Sequence, residues 1–318
     1  MTHDGSLGNA IRMAEVAAAC GADAVKFQLH DAAAETTRDA PSPPYFKHES
    51  RYEFFERTAF TDAQWRTLKN ACDAAGIEFL CSAFSLRALE RLEALGVARY
   101  KIGSGEVTSL DLVRAAGATG KPVLLTSGMS TWAELDAAVA AAGDNVTVLQ
   151  CTSAYPTPPD RVGLNVLGEL RERYSQPVGL SDHTRGPYAA LAAVTLGATV
   201  VEKHFTLSRE MYGPDASMSM EPPELKTLVE GIREIETMVA SPVDKDAEAG
   251  ELAEMKRVFE KSVVAVVDIP EGTVIDREMV AAKKPGTGIP AARLDEVVGR
   301  RARTPIAGDT VLMEADLE

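Results

Sequence analysis

Short apolar runs alternate with amphipathic stretches from residue 6 to about residue 240. The apolar runs end in polar or glycine residues, which is typical of buried parallel strands. The stretches between them place apolar residues at helical spacing, and several begin after a Ser, Thr or Asp that can cap the first amides. The predicted strands are 24–28, 78–83, 100–102, 122–126, 146–151, 178–181 and 200–204. The predicted helices begin near Ser6, Thr61, Leu86, Leu110, Thr131, Leu164, Pro187 and Glu221.

Repeated strand-then-helix units of this kind predict an α/β fold, specifically a (β/α)8 TIM barrel. The chain opens on a helix and supplies seven strands and eight helices, so the first strand of the barrel is missing from the pattern. Because a seven-stranded barrel would be unusual, we expect the native start to lie upstream of Met1.

Two parts of the chain fall outside this repeat. Residues 31–60 form a long excursion on the active-site side of the barrel, which suits a lid or a dimer contact. The excursion contains Pro41, Pro43, Pro44, Tyr45, Phe46, Tyr52, Phe54 and Phe55. After residue 240 an acidic, Ala-rich segment with Pro242 predicts a linker, and short β-rich runs follow it. The predicted division is a barrel over 1–240, a linker over 241–258 and a small β-rich domain over 259–318.

Within the small domain two segments echo each other. They read I-P-E-G-T-V-I at 269–275 and I-A-G-D-T-V-L at 306–312. The echo predicts two related turn-and-strand elements in one β domain, which is too short to form a second catalytic unit.

The charge of the chain narrows the range of its partners. The 33 Lys and Arg residues are outnumbered by 47 Asp and Glu residues, which gives a formal net charge of −14. Such a surface repels nucleic acid and anionic membranes, so an anionic substrate needs a local cluster of Lys and Arg. No apolar run of about 18 residues and no signal-peptide pattern occurs, which predicts a cytoplasmic protein. The cysteines lack metal-site spacing and are expected to be buried free thiols.

Polar side chains follow the carboxyl ends of the predicted strands. In a TIM barrel this end of the strands carries the active site. The candidate residues at these positions are Lys26, Gln28, Ser82, Lys101, Ser104, Glu106, Ser127, Ser153, Tyr155, Ser181, Asp182, His183, Glu202, Lys203 and His204.

His183 and His204 stand at the ends of two neighbouring predicted strands. Adjacent strands lie about 4.8 Å apart, so both imidazoles can reach one metal ion. Nitrogen ligands suit Mn, Fe, Co or Zn better than Ca or Mg, and two protein ligands leave positions for water and substrate. The alternative is that each residue is a structural histidine held by hydrogen bonds. Two histidines at matching strand ends favour the metal site.

Lys26 and Lys101 lie at strand ends among apolar neighbours, where an ammonium group is costly without an anion beside it. Each lysine could form a structural salt bridge, bind a phosphate or carboxylate, or form a Schiff base as in a class I aldolase. Ser82, Ser104 and Ser127 would add neutral donors to a phosphate site. The chain contains no G-x-S-x-G, G-x-G-x-x-G or G-x-x-x-x-G-K-[ST] motif, which argues against serine hydrolase chemistry and nucleotide binding.

Seven motifs together resemble the sialic acid synthase family, which includes the N-acetylneuraminate, legionaminate and pseudaminate synthases. They occur in the family's order over nearly the whole chain. The motifs are G-A-D-A-V-K-F-Q at 21–28, K-I-G-S-G-E at 101–106, T-S-G-M at 126–129, C-T-S-A-Y-P at 151–156, G-L-S-D-H-T at 179–184, E-K-H-F-T at 202–206 and G-P-D at 213–215. The tail resembles the family's antifreeze-like (SAF) domain over 261–318, including K-P-G-T-G-I at 284–289.

This resemblance implies an enzyme that condenses phosphoenolpyruvate with an N-acylated hexosamine such as N-acetylmannosamine. The products would be a nine-carbon 2-keto sugar acid and phosphate. His183 and His204 would hold a divalent ion, typically Mn²⁺, with Mg²⁺ or Co²⁺ as alternatives, against the sugar aldehyde. The residues that would hold phosphoenolpyruvate are Lys26, Ser82, Lys101, Ser104, Ser127, Ser153 and Ser181.

The resemblance also places residues on the acceptor side and predicts a partner. Tyr155 and Asp215 would contact the acceptor sugar, with Gln28 as a further substrate-binding candidate and Glu106 as a further catalytic one. In a domain-swapped homodimer, the SAF domain would carry Lys284 to the neighbouring active site.

The chain departs from the family pattern at three places. The family opens with a strand that carries E-I-G-x-N-H-x-G, of which Thr2-His3-Asp4-Gly5 remains. Ser153 replaces a frequent Asn, and Lys284 replaces a frequent Arg, whose bidentate grip a lysine cannot reproduce. Two other functions stay open: a Schiff-base aldolase that uses Lys26 or Lys101, and a non-catalytic sugar-binding relative.

Overall fold

The computed structural model describes residues 2–42 and 49–318, and the chain divides after residue 240 into two compact units. Pro43, Pro44, Tyr45 and Phe46, predicted as part of a lid or dimer contact, lie outside the described residues. The strands of the first unit are β1 (Ala24–Leu29), β2 (Glu78–Ala83), β3 (Tyr100–Ile102), β4 (Val123–Thr126), β5 (Val146–Cys151), β6 (Val178–Asp182) and β7 (Val200–Lys203). Its helices are α1 (Leu7–Ala19), α2 (Ala32–Glu35), α3 (Arg51–Thr58), α4 (Asp62–Ala75), α5 (Leu86–Leu95), α6 (Leu110–Ala118), α7 (Trp132–Ala142), α8 (Leu164–Arg173), α9 (Tyr188–Thr195) and α10 (Pro222–Ala240).

The seven strands pair in parallel and in chain order, so β1 and β7 form the two ends of the sheet over the described residues. The sheet curls until its ends approach each other, because Lys26 Nζ of β1 lies 2.6 Å from Glu202 Oε1 of β7. A cleft of about 410 Å³ between these two strands is also lined by α1 and α10. The predicted α/β barrel fold is therefore confirmed, and the described residues supply seven strands of it.

Local signals in the sequence set the ends of the helices around the sheet. Thr61 and Thr131 each form a capping box at the start of a helix, in which the threonine hydroxyl accepts a hydrogen bond from the backbone amide of the third helix residue. Helices α4 and α5 end at Gly76 and Gly96, whose φ angles of 71° and 74° are left-handed. Glycine adopts this conformation without steric cost, so the chain can leave each helix and enter the next strand.

The inside of the curled sheet is filled in layers, and this layering positions the polar residues. Leu80, Leu124 and Leu149 of β2, β4 and β5 form a buried apolar cluster there. Side chains alternate along a strand, so the next inward residue of β2 is Ser82 and that of β4 is Thr126. The apolar layer thus forms a floor, and polar groups lie above it at the carboxyl ends of the strands.

Helices cover the outside of the sheet with a large apolar core. Cys72, Cys81 and Cys151 are buried free thiols, as predicted, whereas Cys20 is only partly buried. No helix in the described part of the chain is both long and apolar enough to cross a membrane.

The second unit has its own apolar core and a three-stranded antiparallel sheet in the order β10-β8-β9. Its elements are α11 (Lys245–Glu251), α12 (Ala253–Phe259), β8 (Ser262–Ala265), β9 (Val280–Lys283), α13 (Leu294–Val297) and β10 (Thr310–Val311). The two echoing segments pair at their first residues, because Ile269 and Ile306 exchange backbone hydrogen bonds of 2.8 and 2.9 Å. The predicted linker contains two helices, since Asp244 caps α11 and the Ala-rich sequence after it favours helix.

Candidate active site

A cavity of about 610 Å³ opens at the carboxyl ends of the strands. The predicted site residues that line it are Lys26, Gln28, Ser82, Lys101, Ser104, Glu106, Ser153, Tyr155, Ser181, His183, His204 and Asp215. Ser127 and Lys284 were also predicted at the site but do not line the cavity. The Ser127 hydroxyl donates to Gln150 Oε1 at 3.3 Å, and Lys284 belongs to the second unit, where its Nζ lies 5.0 Å from the centre of the Phe259 ring.

Two lysines share one carboxylate at the bottom of this cavity. Lys26 Nζ lies 2.6 Å from Glu202 Oε1, and Lys101 Nζ lies 3.3 Å from Glu202 Oε2. Lys101 also donates to the Thr126 hydroxyl, and the Ser181 hydroxyl donates to Glu202 at 3.2 Å. Two positive charges therefore face one negative charge, which leaves an excess of positive charge for an anionic ligand.

Burial and charge act in opposite directions on this cluster. Burial lowers the pKa of Lys101, whose side chain is 3% exposed, and the Glu202 carboxylate opposes that effect. Burial alone would raise the pKa of Glu202, but Lys101 and Lys26 outweigh it and hold that pKa below its usual range. Glu202 therefore stays ionised at neutral pH and anchors both ammonium groups.

The two histidines meet in the same cavity. Their ring centres are 5.1 Å apart and their planes are inclined by 69°. His183 Nδ1 lies 3.0 Å from the Thr152 carbonyl oxygen. Because a carbonyl can only accept, Nδ1 carries the proton and Nε2 keeps its lone pair for a ligand. The Tyr155 ring packs against His183 at 4.3 Å, and His204 Nδ1 lies 3.9 Å from Asp215 Oδ1.

These histidines have the properties of metal ligands. Burial lowers the pKa of His183 and lowers that of His204 to about 4, so both rings are neutral at pH 7. Over the residues that the structure describes, no three His, Cys, Asp or Glu side chains converge to hold a metal. A bound ion would therefore have two imidazole ligands and several open positions. This donor set fits a borderline divalent cation better than Ca²⁺.

Two serine hydroxyls occupy the space beside Gly128, which has no side chain. A Cβ atom at Gly128 would lie 2.4 Å from Ser153 Oγ and 2.5 Å from Ser104 Oγ. The buried Ser153 hydroxyl has no hydrogen-bond partner among the described residues. An unsatisfied buried hydroxyl costs about 1–3 kcal/mol, and an oxygen-rich ligand would satisfy it.

The long excursion after β1 adds groups that the sequence did not reveal. His30 Nδ1 lies 2.7 Å from Glu35 Oε1, and the His30 ring stacks between Phe55 and Phe84 at 3.6 and 4.2 Å. Burial, and then the nearby Glu35 carboxylate, raise the pKa of Glu106 to about 7. Arg51 and Arg185 also line the cavity. His30 follows β1 directly, so the strand-end rule could have found it, whereas Arg51 carries no sequence signal.

Asp182 and Lys203 were expected at this site and do not line the cavity. Successive side chains of a strand point to opposite faces, so the neighbours of the inward Ser181 and Glu202 point away. There they pair with each other at 2.7 Å.

Both units of the chain match known protein families. Residues 13–244 match the NeuB family, and residues 260–318 match the SAF domain. This chain belongs to the NeuB family. The match to the NeuB family covers the barrel strands from β1 onward, together with both histidines and both lysines of the cavity.

Individual NeuB-family relatives align over nearly the full chain. The chain is 34% identical over 327 residues to the N,N'-diacetyllegionaminic acid synthase of Campylobacter jejuni, which covers 99% of this chain and 97% of that protein. It is 35% identical over 322 residues to human N-acetylneuraminate-9-phosphate synthase, with 98% and 89% covered. The crystal structure of the N-acetylneuraminic acid synthetase of Leptospira borgpetersenii in complex with citrate superposes with a TM-score of 0.71 at 28% identity, over 81% of this chain and 89% of that one.

Proposed function

We propose that this chain condenses phosphoenolpyruvate with the open-chain aldehyde of an N-acylated hexosamine, in the class of N-acetylneuraminate synthase. One observation carries the proposal: a lysine-rich anion site and a pair of neutral histidines share one cavity. Membership of the NeuB family supports a sialic acid-type synthase. The relatives named above make different sugar acids, so the choice of N-acetylmannosamine or a related sugar belongs to the proposal.

The reaction joins the two substrates and consumes one water molecule. C3 of phosphoenolpyruvate attacks the aldehyde carbon of the sugar, and water adds at C2. The bond between C2 and the phosphate oxygen then breaks, which gives inorganic phosphate and a nine-carbon 2-keto acid.

Lys26 and Lys101 would hold the phosphate and carboxylate through charge-assisted hydrogen bonds. Ser82, Ser104 and Ser153 would donate neutral hydrogen bonds to the same oxygens.

The acceptor sugar would lie toward the histidines. A divalent ion held by His183 and His204, which we propose to be Mn²⁺ with Mg²⁺ or Co²⁺ as alternatives, would supply Lewis acidity at the aldehyde. Tyr155, Asp215 and Gln28 would contact the sugar. Glu106, with a pKa of about 7, is suited to deliver a proton to the oxygen that gains charge as the carbon–carbon bond forms. The swapped homodimer, in which Lys284 reaches the partner's cavity, stays a prediction.

The test is phosphate release from phosphoenolpyruvate, Mn²⁺ and a panel of N-acyl hexosamines, with products identified by mass. Lys101→Met should raise KM for phosphoenolpyruvate at least about tenfold, because a charge-assisted contact is lost. Lys121→Met is the matched control, since Lys121 pairs with Glu93 near the opposite ends of the strands. Absence of phosphate release with every sugar would refute the synthase.

Two further measurements separate the alternatives. Borohydride trapping of pyruvate on Lys26 or Lys101 in the presence of EDTA would support a Schiff-base aldolase instead. Sugar binding without turnover that survives His183→Ala and His204→Ala would support a non-catalytic sugar-binding protein.

A further inference from the structure

Each of the two candidate metal ligands is preceded by one member of a buried ion pair. Lys203 Nζ lies 2.7 Å from Asp182 Oδ2, and the two side chains are only 5% and 1% exposed. Asp182 and Lys203 face each other at the last paired position of β6 and β7. His183 and His204 follow directly, one residue beyond the point where this pairing stops.

The ion pair lies behind the histidines, on the outer face of the sheet. Ser181 and Glu202 point inward, where the hydroxyl donates to the carboxylate at 3.2 Å. Alternation turns Asp182 and Lys203 outward and returns the histidines to the cavity.

Thr184 extends this pair to the far side of His183. Its backbone amide donates to Asp182 Oδ1 at 2.7 Å. Lys203 Nζ donates to the Thr184 hydroxyl at 3.0 Å and also to the Thr184 carbonyl oxygen. The residues on both sides of His183 are therefore held by the lysine that precedes His204.

The other backbone contacts of the histidines fix each one to a different part of the chain. The His183 carbonyl accepts from the Thr157 amide at 3.0 Å, and the His204 carbonyl accepts from the Met220 amide at 2.8 Å. Neither contact relates one histidine to the other. The two rings contact each other at 5.1 Å, and the Asp182–Lys203 pair with Thr184 adds a polar side-chain link between the two strand ends.

We propose that the Asp182–Lys203 ion pair is a positioning device for the metal site, which sets the separation of His183 and His204. The proposal rests on the metal site of the proposed function and goes beyond it. A buried ion pair adds little net stability compared with an apolar pair of the same size, but its geometry is specific. Metal ligation needs such geometry, because ligand distances must be held to within about 0.2 Å.

The test compares metal binding by the full-length wild type and by Asp182→Asn/Lys203→Met, which removes both charges and keeps the side-chain volumes. Affinity for Co²⁺ is measured by calorimetry, and ligand geometry by the visible absorption of bound Co²⁺. Loss of an outer partner of a metal site costs about 10–100-fold in affinity, so we expect weakening of this size and an altered Co²⁺ spectrum. Lys203→Arg, which keeps the cation, should recover most of the affinity.

The matched control is Glu78→Gln/Arg99→Leu. This ion pair of 2.7 Å joins the start of β2 to the residue before β3, at the opposite ends of the strands. Its removal should leave Co²⁺ affinity and spectrum unchanged. A folded Asp182→Asn/Lys203→Met protein with wild-type affinity and spectrum would overturn the positioning role.

A second variant keeps the proposal testable if the double variant does not fold. Asp182→Glu retains both charges and adds one methylene, so it should bind Co²⁺ more weakly and shift its spectrum; wild-type values would again overturn the proposal. If the His183→Ala/His204→Ala variant bound Co²⁺ with wild-type affinity, the metal site itself would be refuted. Failure of the positioning role and failure of the metal site are therefore distinguished by different variants.

Discussion

Replacing Glu106 with Gln should abolish a pH dependence of stability that this partly buried carboxyl group creates. Burial, and then the neighbouring Glu35, raise the pKa of Glu106 from 4.5 to about 7. Between these two pH values the folded chain binds a proton that the unfolded chain has released. Because the folded state binds more protons in this window, the free energy of unfolding falls as the pH rises through it.

The size of the effect follows from the width of the window. Each pH unit corresponds to about 1.4 kcal/mol, so the interval from 4.5 to about 7 gives about 3 kcal/mol. This contribution is fully present below pH 4.5 and lost above pH 7. Glu106→Gln has no titrating group, so its stability relative to wild type should rise by about 2–3 kcal/mol from pH 5 to pH 8.

Urea unfolding followed by tryptophan fluorescence measures this difference. Trp65 and Trp132 are the two tryptophans of the chain, and both lie in the first unit, so the signal reports the unit that contains Glu106. Every other titratable group contributes equally to the pH dependence of both proteins, so the difference between their free energies of unfolding reports Glu106 alone. Glu172→Gln, at an exposed position of α8, is the control and should track wild type at both pH values. A change between pH 5 and pH 8 that is the same in Glu106→Gln and wild type would refute the reasoning.

Packing predicts two further effects. Gly128→Ala should lower kcat/KM in the synthase assay at least about tenfold, because the added Cβ would meet the Ser153 and Ser104 hydroxyls. Gly105→Ala is the control, since a Cβ there would meet no atom within 4 Å, and its kcat/KM should stay within about twofold of wild type. Equal activities of the two variants would contradict this prediction. Leu167→Ala removes a fully buried side chain and should lower the free energy of urea unfolding by about 2–5 kcal/mol. Leu196→Ala, at an exposed position, should change it by less than about 0.5 kcal/mol, and similar losses in both variants would refute the assignment of Leu167 to the core.

The barrel could be predicted from the sequence because its central strands, β2 to β6, are buried on both faces. Continuous apolar runs placed all seven strands correctly, and caps such as Thr61 and Thr131 placed the starts of the helices. The helices at 245–259 were missed, since Pro242 and the high acidic content suggested a linker and masked the helix propensity of the residues that follow.

The site was only partly predictable, for a geometric reason. Position at a strand end locates a residue along the sheet but does not fix the face to which its side chain points. Asp182 and Lys203 lie at the ends of their strands as predicted, but their side chains point to the outer face of the sheet, away from the cavity. The Ser127 hydroxyl donates to Gln150 instead of lining the cavity. The groups around Glu35 and Arg51 come from a long excursion without periodicity, so no pattern placed them in the cavity.

The position of Glu202 links the shape of the sheet to the charge of the cavity. Glu202 lies on β7 and Lys26 on β1, the two ends of the sheet over the described residues, where no strand ladder joins them. Their 2.6 Å ion pair therefore spans the place where the barrel is open. The same carboxylate holds Lys101 from the third strand. The spacing of the two ammonium groups, and so the size of anion that they can share, depends on how closely β1 and β7 approach each other.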